Sequence, residues 1–276
     1  MSTLIFMRKV IILAGNGELP YNVVTELKNR KIDFFIISFK NNKVSDKIKS
    51  LNPLEINFGK IVTELKKLKI KKFDSLMMVG GLNKPKLKEI KPDINSLKLI
   101  PMFAKKIIEG GDNNLLSFCI KKIEDIGFKI INIKQVLPEL FLGKGVFTNI
   151  SPKKELIKDI KKGQKILEQI SKFDIGQSII LQKGNVVGIE GVQGTDILIK
   201  NSKSYLVKDT NGILIKSIKQ KQDLRVDLPT IGIKTLKNCK RSNICGIAFF
   251  AGNTIFLDVK KIISYCNKHK IFLIGV

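Results

Sequence analysis

The chain has no tryptophan, one histidine, four cysteines and four arginines in 276 residues. Each scarcity closes off a class of function. His269 and the scattered Cys119, Cys239, Cys245 and Cys266 contain no C-x-x-C pair, so a structural zinc site is not expected, and neither are disulfides. No apolar run reaches the ~18–20 residues that a bilayer span needs. The first ten residues carry a short apolar patch but lack the order of a signal peptide, and a cytoplasmic protein is expected. Acidic residues are few, 24 against 50 lysines and arginines, for a formal net charge of +26. That surplus invites a nucleic-acid reading through phosphate neutralisation. The lysines, however, are spread along the whole length, often as Lys-Lys pairs, and three tyrosines offer little for bases to stack on. A nucleic-acid partner is therefore not expected. The same surface would be drawn to an anionic membrane leaflet or to a phosphorylated substrate.

What is present suffices for two α/β domains with a core each. Residues 8–14 form an apolar strand that runs into Gly15-Asn16-Gly17-Glu18-Leu19-Pro20, with Pro20 suited to the first turn of a helix reaching residue 30. Backbone N–H groups of such a loop suit a phosphate or another anion. The glycine spacing is neither a full dinucleotide fingerprint nor a P-loop, so an ordinary turn is an equal reading. Apolar strands at 33–39, 54–58 and 73–79 alternate with a helix at 58–68, the pattern of a parallel sheet. The last of these strands ends in Gly80-Gly81-Leu82-Asn83, a second glycine loop at the end of the sheet where open α/β folds bind ligands. Helices at 96–109 and 112–126, with Asp112 as a cap after Gly110-Gly111, and a strand at 128–133 complete a first domain, 1–135.

Residues 135–151, punctuated by Pro138, Gly143 and Gly145, read as a linker into a second domain, 136–276. There a helix over 152–170 precedes a strand at 178–182, a Lys183-Gly184-Asn185 turn and a returning strand at 186–190. The loop that follows, Glu190-Gly191-Val192-Gln193-Gly194-Thr195-Asp196, carries a carboxylate at each end, and these are hard oxygen ligands suited to magnesium. Gln193 and Thr195 offer hydrogen bonds, and Thr195 or Asp196 is also a plausible cap for the next helix. A strand at 212–217, a helix from 233, a second hairpin over 246–257, an Asp258-capped helix to His269 and a strand at 271–274 finish the chain. The densest polar stretch lies among them, Lys221-Gln222-Asp223-Leu224-Arg225-Val226-Asp227-Leu228-Pro229-Thr230-Ile231-Gly232. Pro229 disfavours helix at Leu228, so 225–228 reads as a strand with Arg225 and Asp227 on one face. A surface ion pair beside a turn is the competing account.

Four stretches, Ile11 through Pro20, Asp174-Ile175-Gly176-Gln177, Glu190 through Asp196 and Arg225 through Gly232, resemble a known family over nearly the whole chain. It is the UDP-2,3-diacylglucosamine pyrophosphatase of lipid A biosynthesis, the magnesium-dependent two-domain type rather than the metallophosphoesterase type. The resemblance implies a Rossmann-like N-terminal domain with a parallel sheet, a mixed α/β C-terminal domain of its own fold, and a substrate held between them. It also implies hydrolysis of UDP-2,3-diacylglucosamine to UMP and 2,3-diacylglucosamine 1-phosphate, with water attacking the α-phosphorus and Asp227 as the essential carboxylate. In that frame Asp227, Glu190 and Asp196 would hold Mg2+ or Mn2+ and Arg225 would stabilise phosphoryl charge. Gly15, Asn16, Gly17, Gly80, Gly81, Asn83, Gln177, Gln193, Gly194, Thr195 and Thr230 would meet substrate. Transient contact with the inner face of the inner membrane follows from the lipid substrate, and a homodimer is compatible with the sequence. The competing class is a nucleotide-binding module for sensing or redox work, which would call for a fuller dinucleotide fingerprint than this one.

Overall fold

The computed structural model describes residues 9–83, 85–86, 89–109, 112–207, 212–220 and 222–276, with only the backbone described at 109, 112 and 113. The expectations placed on Arg8, on the Gly110-Gly111 turn, on the Asp112 cap and on Lys221 lie outside what is described. The chain divides into two compact units, Met1–Pro138 and Glu139–Val276.

The first unit carries strands β1 (Lys9–Ala14), β2 (Asp33–Phe39), β3 (Leu54–Ile56), β4 (Ser75–Val79) and β5 (Lys129–Ile130). Its helices are α1 (Leu19–Asn29), α2 (Asp46–Lys49), α3 (Ile61–Ile70), α4 (Ile100–Glu109) and α5 (Asp112–Asp125). The sheet order is β3-β2-β1-β4-β5 and every pairing is parallel, a Rossmann-like arrangement. Val10 to Ala14 of β1 are buried without a break, as a central parallel strand covered on both faces requires. An aromatic series ties this sheet to the later helices: Phe39, Phe58, Phe103 and Phe118 follow one another with centroids 5.2, 4.7 and 6.4 Å apart. The strand expected at 128–133 shrinks to two residues, because Asn132 accepts a bond from Lys134 N and starts a 3₁₀ turn at Ile133.

In the second unit the strands are β6 (Gly145–Val146), β7 (Ser178–Gln182), β8 (Asn185–Ile189), β9 (Gly212–Lys216), β10 (Thr230–Ile231), β11 (Ile244–Phe249), β12 (Ile255–Phe256) and β13 (Phe272–Gly275). The helices are α6 (Lys154–Ile170), α7 (Thr195–Ser202), α8 (Ile233–Arg241) and α9 (Val259–Lys268). A six-stranded mixed sheet runs β6-β13-β11-β9-β7-β8, and β10 pairs with β12 apart from it. One face packs on α6 through Ile160, Leu167, Ile213 and Ile215. The other packs Leu198, Leu214, Leu236 and Ile262 among α7, α8 and α9. The β7–β8 hairpin turns through Lys183 and Gly184, both at positive φ, and Asp159 on α6 accepts from Gly184 N at 2.8 Å.

Two expectations fail here. The stretch expected as a linker divides between the units, through Pro138 with the first and the rest with the second, where Val146 and Gly145 pair with Ile274 and Gly275 and Phe147 N donates to Leu273 O at 2.9 Å. The hairpin expected over 246–257 does not form. β11 is a central strand, parallel to both β9 and β13, while β12 pairs with β10. Short apolar runs separated by Gly252 and Asn253 look like a hairpin in sequence, but parallel partners arrive through helical crossovers.

Candidate active site

The two glycine loops of the first unit do meet. β1 and β4 are neighbours, Gly15 N donates to Val79 O at 2.7 Å, and Asn16 N donates to Gly81 O at 2.8 Å. Gly80 sits at φ +88°, and a Cβ there would fall against the Asn16 carbonyl. Asn42, buried and unremarked in the sequence, ties the loops to the end of β2: it donates to Gly81 O at 3.3 Å and accepts from Asn83 N at 3.0 Å. The N–H groups of Gly15, Asn16 and Asn83 thus have partners inside the protein, which leaves the anion expectation to the rest of the loop and the start of α1. Gly17 lies at φ +88° beside them and is exposed.

In the second unit two of the singled-out stretches, together with Ser178, converge on a residue that the sequence pattern does not mark. Lys216 ends β9 and is 4% exposed. Period-two alternation puts Ile213 and Ile215 on the α6 side, so Lys216 shares the side of Leu214, towards α7. Its Nζ donates to Thr195 Oγ1 at 2.7 Å and lies 3.5 Å from Ser178 Oγ. Thr195 Oγ1 is in turn 3.1 Å from Glu190 Oε2 and 3.1 Å from Ser178 Oγ. Burial pushes the Lys216 amine below its ordinary range, while Glu190, Asp196 and Asp227 pull it back up. The signal that would have found it is an apolar strand, Gly-Ile-Leu-Ile-Lys, whose final residue falls in the inward register of Leu214.

The motif stretches are braced from several sides. Asp174, at positive φ, accepts from Lys219 Nζ at 2.7 Å. At Gly176 a Cβ would collide with the Glu190 carbonyl, and Glu190 N donates to Ser178 O at 2.8 Å. Asp196 accepts from Thr235 Oγ1 at 3.1 Å and from Lys234 Nζ at 3.1 Å. It does not cap α7, and neither does Thr195. The cap position is Gly194, at φ +77° and without a side-chain bond. Gln193 folds back on its own loop, accepting from Gly191 N and donating to Ile189 O.

No strand forms at 225–228, where a turn over 223–226 leads into an irregular segment, and this corrects the expected strand. Asp223 Oδ1 accepts from Arg225 N at 3.0 Å, and the N–H groups of Val226 and Asp227 donate to Asp223 O. This local side-chain bond gives the backbone an alternative to a ladder. Arg225 accordingly pairs with Asp223 from within a turn, and there is no strand face at this place. Asp227 is close enough to Lys216 to act on its charge. Thr230 sits in β10, its hydroxyl donating to Leu228 O at 3.3 Å.

Among the described residues, no group of three or more His, Cys, Asp or Glu side chains is arranged to hold a metal ion, so Glu190, Asp196 and Asp227 do not form a joint three-carboxylate cluster. Magnesium asks for less, one or two carboxylates with waters and substrate phosphate. Oxygen donors of that kind are present in Asp196 and Asp227, and the buried Gln177 Oε1 has no hydrogen-bond partner. The donor chemistry fits magnesium. Among the described residues no helix is long and apolar enough to cross a membrane.

Comparison with known proteins agrees with this layout. A family model described as the LpxI N-terminal domain matches residues 9–140, and one described as the LpxI C-terminal domain matches residues 143–274. A curated protein of Caulobacter vibrioides, UDP-2,3-diacylglucosamine pyrophosphatase LpxI, is 28% identical over 281 residues, covering 98% of each chain.

Proposed function

The chain belongs to the LpxI family, and on that premise we propose that it hydrolyses the pyrophosphate bond of UDP-2,3-diacylglucosamine, releasing UMP and 2,3-diacylglucosamine 1-phosphate in lipid A biosynthesis. The observation that carries the reading is the convergence of Ser178, Glu190, Thr195 and Asp227 on the buried Lys216, because a pyrophosphate is cleaved where fixed charges and hydrogen-bond donors are pre-arranged.

Asp227 is assigned the central carboxylate role, orienting the attacking water and, with Asp196, holding magnesium. When bound, the ion would neutralise phosphate charge and lower the barrier to attack. Gln177 Oε1, buried and without a partner, would accept a hydrogen bond from substrate or water. Arg225 serves to hold the turn that carries Asp227, through its paired bonds to Asp223. Beside the polar groups stand exposed apolar side chains, Ile175, Ile189, Val192 and Ile197, which suit the acyl chains of the substrate.

We also place the protein in the cytoplasm, in transient contact with an anionic membrane surface. The support lies on α4, which is apolar around most of its circumference. Ile100, Phe103 and Ile107 pack inward, whereas Met102 and Ile108 on the helix and Ile94 and Leu97 before it are exposed, interleaved with Lys98 and Lys105. The direct test is release of UMP from UDP-2,3-diacylglucosamine by purified protein with magnesium, and absence of UMP would overturn the assignment. Run in heavy-oxygen water, the same assay identifies the attacked atom: label in UMP marks the α-phosphorus and label in the sugar phosphate the β-phosphorus.

A further inference from the structure

Lys216 is expensive where it stands. Taking an ammonium out of water costs several kcal/mol even after relaxation, and a well-packed apolar residue in the same place is often no worse for stability. The β9 register offers such a place, since Leu214 on the same face is buried among the α7, α8 and α9 side chains. Folding alone gives no reason for a cation here.

The hydrogen-bond chemistry gives one. An ammonium has three donors and no acceptor, so Thr195 Oγ1, 2.7 Å away, must accept from it. The hydroxyl's single proton is then directed to another acceptor, and Glu190 Oε2 lies 3.1 Å from it. Ser178 Oγ, also 3.1 Å from Thr195 Oγ1, can supply the second accepted bond. Lys216 thus polarises one hydroxyl group and fixes which way its proton points. Thr195 is the first residue of α7 and Asp196 the second, so fixing Thr195 also fixes the origin of the Asp196 side chain and the end of the loop that begins at Glu190. Asp196 is anchored from its far side by Thr235 and Lys234.

We propose that Lys216 is a positioning residue of the active site, a fixed buried cation that acts through Thr195 to hold Glu190 and Asp196 in their working arrangement. The proposal rests on the hydrolase reading given above and deepens it. Lys216 is 4% exposed and is not assigned contact with substrate. Its effect is on the geometry and charge of the groups that act, so it should appear in kcat more than in KM.

The experiment uses the full chain with magnesium and compares wild type with Lys216→Met, Thr195→Val, Thr195→Ser and the Lys216→Met/Thr195→Val double variant. Each of Lys216→Met and Thr195→Val should lower kcat by about 10²-fold with KM changed by less than about threefold. Thr195→Ser, which keeps the hydroxyl, should stay within about threefold of wild type, and the double variant should be no slower than the slower single, because both lesions break one chain. A purely neutralising lysine would give a different pattern, with Thr195→Val near wild type or with the two lesions multiplying in the double variant, and either result overturns the proposal. If Lys216→Met does not fold, the contrast between Thr195→Val and Thr195→Ser decides, since Thr195 is half-buried at a helix start. A wild-type protein that releases no UMP sinks the hydrolase reading and this proposal with it. Active wild type with unaffected Thr195 variants sinks the proposal alone.

Discussion

Arg225 clasps Asp223 with two nitrogens, Nε at 2.9 Å from Oδ1 and Nη2 at 2.7 Å from Oδ2, while its own N–H bonds the same carboxylate. The pair closes a turn four residues long, and Asp227 leaves that turn with its N–H bonded to Asp223 O. The hydrogen bond from Arg225 holds the Asp223 carboxyl below its ordinary value of 3.8, with burial opposing. The sign follows from linkage: a lowered carboxylate contributes stability that is present above the unfolded value and is lost as pH falls through the folded one. Asp223→Asn should therefore melt slightly below wild type at pH 7, by about 1 kcal/mol or less for a partly exposed pair, and the gap should close below pH ~3.8. Thermal melts of both proteins between pH 7 and pH 3 check this, and a gap that widens with acid contradicts it.

Asp227→Ala separates chemistry from packing. Loss of a group needed mainly in the transition state should reduce kcat by about 10³-fold or more while substrate binding is largely kept. The variant should then trap substrate, which equilibrium binding measured beside turnover and melting temperature will show. Wild-type turnover would remove Asp227 from the mechanism.

Much of this architecture is written in local pattern. The strand expected at 33–39 is β2, the one at 178–182 is β7, and Lys183-Gly184 turns the hairpin with both residues at positive φ, which Gly184 adopts without steric cost. Asp258 caps α9 through Lys261 N, and His269 follows its last turn, its ring 4.2 Å from that of Tyr265 and tilted by 42°. What escaped depends on partners distant in sequence or on local side-chain bonds. Apolar periodicity cannot say that β11 pairs with β9 and β13 and not with its neighbour β12. Nor can it foresee that Asp223 takes the backbone N–H of Arg225 and turns an apparent strand into a loop. Lys216 was hidden by composition, one lysine in a lysine-rich chain. Only its register on β9 sets it apart.

Gly176 is where the Asp174-Ile175-Gly176-Gln177 stretch touches the acidic loop. A Cβ there would collide with the Glu190 carbonyl, which is backbone and has little room to yield. Gly176→Ala should cost about 1–3 kcal/mol of stability. It should also displace Glu190 from Thr195, so turnover should fall by at least about tenfold even in the folded fraction. Melting curves together with turnover per folded molecule test both halves, and an unshifted Tm would contradict the close approach.

The proposed magnesium dependence can be checked by removing the metal. Treatment with a chelator should abolish UMP release, and added magnesium or manganese should restore it, because both are hard cations that prefer carboxylate and phosphate oxygen. Asp196→Asn should raise the magnesium concentration needed for half-maximal turnover, by about tenfold, while the rate at saturating metal falls less. Full turnover in excess chelator would take the metal out of the reaction.

The exposed side of α4 carries the last expectation. The apolar side chains of a surface helix ordinarily turn to the core, yet Met102 and Ile108 stand half or more in water next to Lys98 and Lys105. An anionic lipid surface would cover the apolar groups and pair with the lysines at once. Insertion of each apolar side chain is worth about 1.5–3 kcal/mol. Met102→Ser/Ile108→Ser should therefore weaken binding to phosphatidylglycerol vesicles by at least about 10²-fold, leaving melting temperature unchanged because neither side chain is in the core. Wild-type binding should also fall with added salt, since the lysine contribution is screened over roughly 10 Å at 0.1 M, and should be weaker on phosphatidylcholine. Cosedimentation with the two vesicle types reads all of this. Equal binding by the double variant would move the contact elsewhere on the protein, and concentration-dependent dimerisation lost in the same variant would instead mark the face as a seat for a second copy of the chain.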